Sequence, residues 1–240
     1  MGYSDAGPGP RTTQQLASEL TALLDNSDVR RPVFLVGASV GAWNIRLLAS
    51  THEDRVAGLV LVDPRHERQG PRLVEVGAGE IPAYVRWIMR LAPVVGHLGI
   101  ARAAGLAPGA SPDVLSPSVR SYAKATRFRA SAVVAAASEL GSAQESAEEV
   151  AGTRRALAAP LVIISAGQRQ NSRVAQVLES LQLEQLQLST RSCRVVAEAS
   201  GHGIAFDQPQ LVVQAIRAVI IASRADNAPN CDAIAVRHAF

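Results

Sequence analysis

Ser39 stands in the pentapeptide Gly37-Ala38-Ser39-Val40-Gly41, between an apolar run, Val33-Phe34-Leu35-Val36, and a helix-forming stretch from Ala42 to Ser50. A serine at the tip of a sharp strand-to-helix turn is the arrangement of a nucleophile elbow, and the flanking strand and helix make the GxSxG pattern specific. The serine must take a strained backbone conformation there, and large side chains at the two glycine positions would clash. The turn also puts Ser39 at a helix N-terminus, where free N–H groups favour a developing negative charge. The chemistry implied is attack of a serine hydroxyl on an acyl carbon. That chemistry needs a base, an acid to orient the base and an oxyanion donor. The Val40 N–H is the donor supplied by the elbow itself.

His202 is the candidate base. It lies between Gly201 and Gly203 in a loop after a predicted strand, and a near-neutral pKa suits proton transfer. Four other histidines compete. His52 sits at a helix end beside Glu53-Asp54, His66 opens an insertion and could touch the pocket, His97 lies within the insertion, and His238 is in the tail. None has both a preceding strand and flanking glycines. The acid is the least determined member. The loop after Leu161–Ser165, where it would follow Ser and precede His, reads Ala166-Gly167-Gln168-Arg169-Gln170-Asn171 and holds no carboxylate. Asp63 is the best substitute because it follows the strand next to the nucleophile strand; it is equally readable as a turn aspartate before Pro64. Glu179, Glu184 and Glu198 are reserves, and Asp207 reads as a helix cap.

The elements that must position these residues alternate. Thr12 can cap a helix with apolar Leu16, Leu20, Leu23 and Leu24. Strands are expected at Val33–Val36, Val56–Val62, Leu161–Ser165 and Cys193–Ala197, with helices after the elbow, at Val174–Leu188 and after Asp207. Strands apolar on both faces belong to parallel sheets covered by helices, with ligands at the strands' carboxyl ends. Ser39, Asp63 and His202 all fall just after strands. Residues 66–159 change character. They read as helical pieces at Ala83–Leu91, Val94–Leu106, Pro117–Ser138 and Ala143–Leu157, a cap inserted into a core formed by 1–65 and 160–222. Residues 223–240 read as a disordered tail.

Composition bounds the function class. The chain has 240 residues, 48% hydrophobic, enough for one domain with an inserted subdomain. A net charge of +3 from scattered arginines, with Lys124 the only lysine, does not suggest nucleic-acid binding. Cys193 and Cys231 do not make a disulfide framework, and no spacing suggests a metal site. No run reaches the ~18 apolar residues of a membrane span and no signal sequence opens the chain, so a soluble cytoplasmic protein is expected.

The segments Gly2-Tyr3-Ser4-Asp5, PVFLVGASVG, VAGLVLVDP, PLVIISAG and SGHGIAFDQPQLVVQAI resemble the α/β-hydrolase family, in its serine-nucleophile branch with a helical cap. The resemblance runs from residue 2 to about 222. It implies Ser39 as nucleophile and His202 as base, and carboxylates at the position of Asp63 serve as the acid in a minority of the family. It also implies about four further strands before residue 1, including the loop with the second oxyanion donor. The chain begins as if cut there, either because the missing strands are encoded upstream or because this is a truncated, weakly active form. The nucleophile strand is then expected at an open sheet edge. The resulting expectation is hydrolysis of a carboxylic ester or similar acyl bond on a small-molecule substrate, without cofactor or metal and without nucleic-acid or membrane partners. A serine argues against the dehalogenase and epoxide-hydrolase chemistries of the fold, which use aspartate. Apolar Tyr84, Trp87, Ile88, Met89 and Leu91 would roof a pocket for an apolar group, or simply form the core of the cap. A catalytically weak ligand-binding module and acyl transfer to an alcohol are the rival readings.

Overall fold

Four apolar runs become the four parallel strands of one sheet. The computed structural model describes residues 7–78, 115–127, 129–169 and 173–235, together with Trp87, Leu91 and Val94. Along the chain these residues form α1 (Thr13–Asp25), β1 (Val33–Ala38), α2 (Gly41–Thr51), β2 (Val56–Val62) and α3 (Gln69–Val74). Then come α4 (Pro117–Arg127), α5 (Ala130–Gly141), α6 (Ala143–Gly152), β3 (Leu161–Ala166) and α7 (Arg173–Glu184). The last elements are β4 (Ser192–Ala197), α8 (Ile204–Asp207), α9 (Pro209–Ala225) and α10 (Cys231–Ala235). The strand order is β1-β2-β3-β4, all pairs parallel.

The chain divides into two compact units, Met1–Thr12 with Glu80–Glu145, and Thr13–Gly79 with Ser146–Phe240. In the first, α4 and α5 occupy the span expected as one helix over Pro117–Ser138. Arg11 donates its backbone N–H to Ser138 Oγ at 3.1 Å, and Ala132 and Ala135 are buried. The helices expected at Ala83–Leu91 and Val94–Leu106 lie outside the described residues, as do Tyr84, Ile88 and Met89. Trp87 and Leu91 are exposed.

In the second unit the alternation of each strand builds two apolar layers. Leu35, Leu59, Leu61, Leu161 and Ile163 pack with α1 and α2, while Val60, Val62, Val162 and Ile164 pack with α9. Ala17 is the buried residue of α1's apolar face, and Leu23, expected to join it, is exposed. The first amides of α1 are satisfied from α6: Thr13 N–H donates to Ser146 Oγ at 2.9 Å and Gln14 N–H to Glu149 Oε2 at 2.8 Å. Among the described residues β1 borders only β2, the open edge expected for it, and Phe34 and Val36, on the face opposite buried Val33 and Leu35, are exposed. No helix of the described residues is long and apolar enough to cross a membrane.

The chain from Ser223 to Ala235 departs from the expected irregular tail. α9 continues to Ala225, α10 follows, and Ile234 is buried in the layer shared by β4 and α9. Cys231 forms a disulfide with Cys193 of β4, with Cα atoms 6.0 Å apart. Two cysteines do not make a disulfide framework, yet they form this one bridge, which the sequence reading did not anticipate; the pairing needs α10 folded against β4, which no local pattern announces. Because the bridge closes a loop with a sequence separation of 38 residues, replacing both cysteines with serine is expected to cost about 3–4 kcal/mol of stability in the chain-entropy treatment. Urea melts of oxidised and doubly substituted protein measure the difference, and equal midpoints would show that α10 docks without the bridge.

Candidate active site

The elbow is built where β1 ends. Ser39 has φ 52°, a left-handed value that a non-glycine residue takes only when its surroundings impose it. They do so here through the backbone: Ser39 N–H donates to the Val62 carbonyl at 3.0 Å, and the Ser39 carbonyl accepts the N–H of Ala42 at 3.2 Å and of Arg65 at 3.1 Å. Val40 follows as the residue preceding α2, so its N–H is among the first amides of that helix, which have no intrahelical acceptor. The two glycines are not equivalent, contrary to the expectation of clashes at both. A Cβ on Gly37 would lie 2.7 Å from the Gly41 carbonyl oxygen, whereas one on Gly41 meets nothing within 4 Å. Gly37→Ala is therefore expected to distort the turn and reduce both stability and activity, with Gly41→Ala close to wild type. Thermal melts and ester kinetics of the two variants check this contrast.

Asp63 ends β2 as Ser39 ends β1, since Ala38 and Val62 are register partners. It too has a positive φ, 39°, and its N–H donates to the Ile164 carbonyl at 2.7 Å. Its buried carboxylate meets His202, which arrives on the loop after β4: His202 Nδ1 and Asp63 Oδ2 are 2.7 Å apart. The other oxygen, Oδ1, accepts from Gln182 Nε2 of α7 at 2.7 Å, from Arg169 Nη2 and from the Ala166 N–H at 3.4 Å. Burial alone would raise the Asp63 pKa. The hydrogen bonds from His202 and Gln182, the Arg169 charge and the Ala166 amide together hold it below the ordinary carboxylate value. For His202 the bond to Asp63 pushes the pKa up against burial; the Asp63 charge adds to that rise and the Arg169 charge subtracts from it. The imidazole itself is largely exposed.

The competing residues go elsewhere. His66 is buried, Nδ1 accepts the Arg68 N–H at 3.0 Å and Nε2 lies 3.1 Å from Arg154 Nη1. Burial lowers its pKa to about 4, so the ring is neutral; with Nδ1 accepting, the proton sits on Nε2, 3.5 Å from Glu184 Oε2, a structural placement. Beside it Glu67, with its pKa at about 2, accepts from Arg46 at 2.9 Å and Arg154 at 2.6 Å. This buried ion cluster ties α2 to the chain after α6. His52 ends α2, and His97 and His238 lie outside the described residues. Of the reserve acids, Glu179 pairs with Arg194 and Glu184 with Arg68, and Glu198 is exposed. Asp207, read as a helix cap, instead ends α8 and accepts from Ser200 Oγ at 2.6 Å, bracing the loop that carries His202. Gln208 stands at the start of α9 in its place. Arg169 and Gln182 were not singled out from the sequence; they reach Asp63 from 106 and 119 residues away, and no local spacing signals such partners. Among the described residues no group of three or more His, Cys, Asp or Glu converges as a metal site would.

No curated protein sequence matches the chain. Among solved structures, a thermophilic esterase from Thermogutta terrifontis is similar at 22% identity, with 93% of this chain and 77% of that one covered and a TM-score of 0.62. Cfl2 from Burkholderia cenocepacia is similar at 20% identity over 90% of this chain and 74% of its own, TM-score 0.58. The epoxide hydrolase CorEH is similar at 15% identity over 93% and 80%, TM-score 0.56. At these identities the likeness is one of fold. The profile of the Alpha/beta hydrolase family matches residues 1–215. With a parallel sheet flanked by helices and an elbow at the end of β1, the chain belongs to the α/β-hydrolase family.

Proposed function

We propose that this protein is a serine hydrolase cleaving a carboxylic ester or a similar acyl bond of a small molecule. The observation that carries the reading is the 2.7 Å bond between His202 Nδ1 and Asp63 Oδ2 at the sheet end where Ser39 sits strained at φ 52°. With the Nδ1 proton donated to Asp63, Nε2 is the free basic atom of the ring. His202 Nε2 takes the Ser39 hydroxyl proton as Oγ bonds to the acyl carbon, and the Val40 N–H receives the oxyanion. Collapse expels the alcohol, which leaves with the proton from His202. Water, deprotonated by the same nitrogen, then frees the acid and restores Ser39. The steps need no cofactor. An alcohol in place of water would make the same residues an acyltransferase, and product analysis with a competing alcohol separates the two. Epoxide opening of the aspartate type has no aspartate at position 39 to use.

A fluorophosphonate probe tests the reading directly. Intact mass should show one adduct on the wild type and none on Ser39→Ala. No adduct on folded protein would favour a ligand-binding module instead. The cytoplasmic location expected from the sequence has the Cys193–Cys231 bridge against it, since disulfides persist in oxidising compartments. Thiol titration of freshly isolated protein decides: free thiols support the cytoplasm, and their absence supports an oxidising compartment.

A further inference from the structure

We propose that Arg169, on the loop after β3, is a positioning residue that lets a carboxylate from the loop after β2 serve His202. The inference rests on the reading of Asp63 and His202 as acid and base. The loop after β3 carries no acid of its own, yet it is tied closely to the His202 loop. Gly167 N–H donates to the Ala197 carbonyl and Gln168 N–H to the Ser200 carbonyl, both at 2.9 Å. The approach is close enough that a Cβ on Gly167 would lie 2.6 Å from Glu198 Cα. This stitching delivers the Arg169 guanidinium to Asp63 Oδ1.

The division of labour on Asp63 follows. Oδ1 takes Arg169, Gln182 and the Ala166 amide, and Oδ2 faces His202. Donors on one oxygen fix the carboxylate's rotation and keep it ionised, which aims the other at Nδ1. Gln182 shows the same purpose. It is buried, its Nε2 is spent on Asp63, and its Oε1 finds no partner among the described residues. An apolar side chain would avoid that unsatisfied acceptor, so the hydrogen bond to Asp63 is what the amide supplies. Arg169 adds a charge: it lowers the proton affinity of the carboxylate and, through space, of the imidazole. Among the described residues the charge that acts on the pair from outside it is Arg169, and the His202 loop also carries Asp207, engaged by Ser200 Oγ, and exposed Glu198.

The test is an NMR titration of the His202 ring in the Ser39→Ala protein, which needs no turnover, with His202→Asn identifying the resonance. Arg169→Gln leaves an amide to donate to Oδ1 and removes only the charge, so it is expected to raise the His202 pKa by at least ~0.5 unit, a neighbouring charge's effect reduced by solvent screening. Arg169→Lys, which keeps the charge, is expected to restore most of it. With Ser39 present, the acid limb of the fluorophosphonate labelling rate should move up by the same amount, while KM for an ester stays put. An unchanged titration in Arg169→Gln overturns the proposal. So does an Arg169→Gln protein that fails to fold, which would assign Arg169 to the fold. Wild-type labelling at Ser39 with an unchanged titration removes the Arg169 role and leaves the hydrolase reading. A shifted titration without any labelling keeps Arg169's hold on the pair and overturns the hydrolase reading.

Discussion

Asparagine at position 63 is expected to lower kcat about 10⁴-fold, the scale of losing the imidazole's correct tautomer. The surroundings of Asp63 decide which way the amide turns. Arg169 and the Gln182 Nε2 group only donate, so the asparagine oxygen is held on their side. Its NH₂ then faces His202 Nδ1, which must accept, and the ring proton moves to Nε2. That is the atom required to take the Ser39 proton. The left-handed backbone at position 63 suits asparagine as well as aspartate, so the fold should survive. The pH profile shifts with a defined sign. In the wild type the base works only when neutral, and Asp63 raises the His202 pKa, so activity falls as pH drops through a value above the ordinary histidine 6.5. Without the Asp63 charge, and with the Arg169 charge left uncompensated nearby, the acid limb of the residual kcat/KM moves to lower pH. Ester kinetics from pH 5 to 9 on both proteins measure both effects. A folded Asp63→Asn enzyme with wild-type kcat would remove Asp63 from the machinery and return the acid to a residue outside it.

The parts of this site that could be read from the sequence are the ones local pattern encodes. VFLVGASVG has strand, turn and helix within a few residues, and VAGLVLVDP ends its strand at the aspartate, so the fold class and the placement of Ser39 and Asp63 followed from periodicity and turn chemistry. The Asp63–His202 contact itself spans 139 residues. It was legible only because parallel strands must present their carboxyl ends together. Partners set by packing were not. Arg169 looks like a loop residue, Gln182 like the polar face of an amphipathic helix, and Cys231 like part of a tail. Asp207 illustrates the competition: before Pro209 it has the composition of a cap, but the Ser200 hydroxyl at 2.6 Å captures its carboxylate and α8 extends through it. The two elbow glycines carry one sequence pattern, yet the crowding falls on Gly37 alone, because only its Cβ direction points into the start of α2.

The strain at Ser39 yields the most discriminating result. Ser39→Ala is expected to reduce turnover by roughly 10⁶-fold, as loss of the nucleophile does when base and nucleophile act as a unit. Its stability should stay near that of the wild type, because alanine and serine both place a Cβ in the left-handed conformation at φ 52°. Ester binding should persist in Ser39→Ala, since only the attacking atom is gone. Glycine is different. It pays no Cβ penalty at that φ, so Ser39→Gly is expected to be more stable than wild type by ~1 kcal/mol, a rise in Tm of about 2–4 °C for a chain of this size, while being equally inactive. An ordinary turn serine would show the same gain in stability but no loss of turnover, and a catalytic serine in a relaxed turn would show the loss without the gain. Melting curves and ester kinetics of the three proteins together therefore separate strain kept for chemistry from strain that is merely tolerated. If Ser39→Ala retains wild-type turnover, another residue is the nucleophile; if none of the three turns over an ester while all bind it, the strained elbow belongs to a binding site.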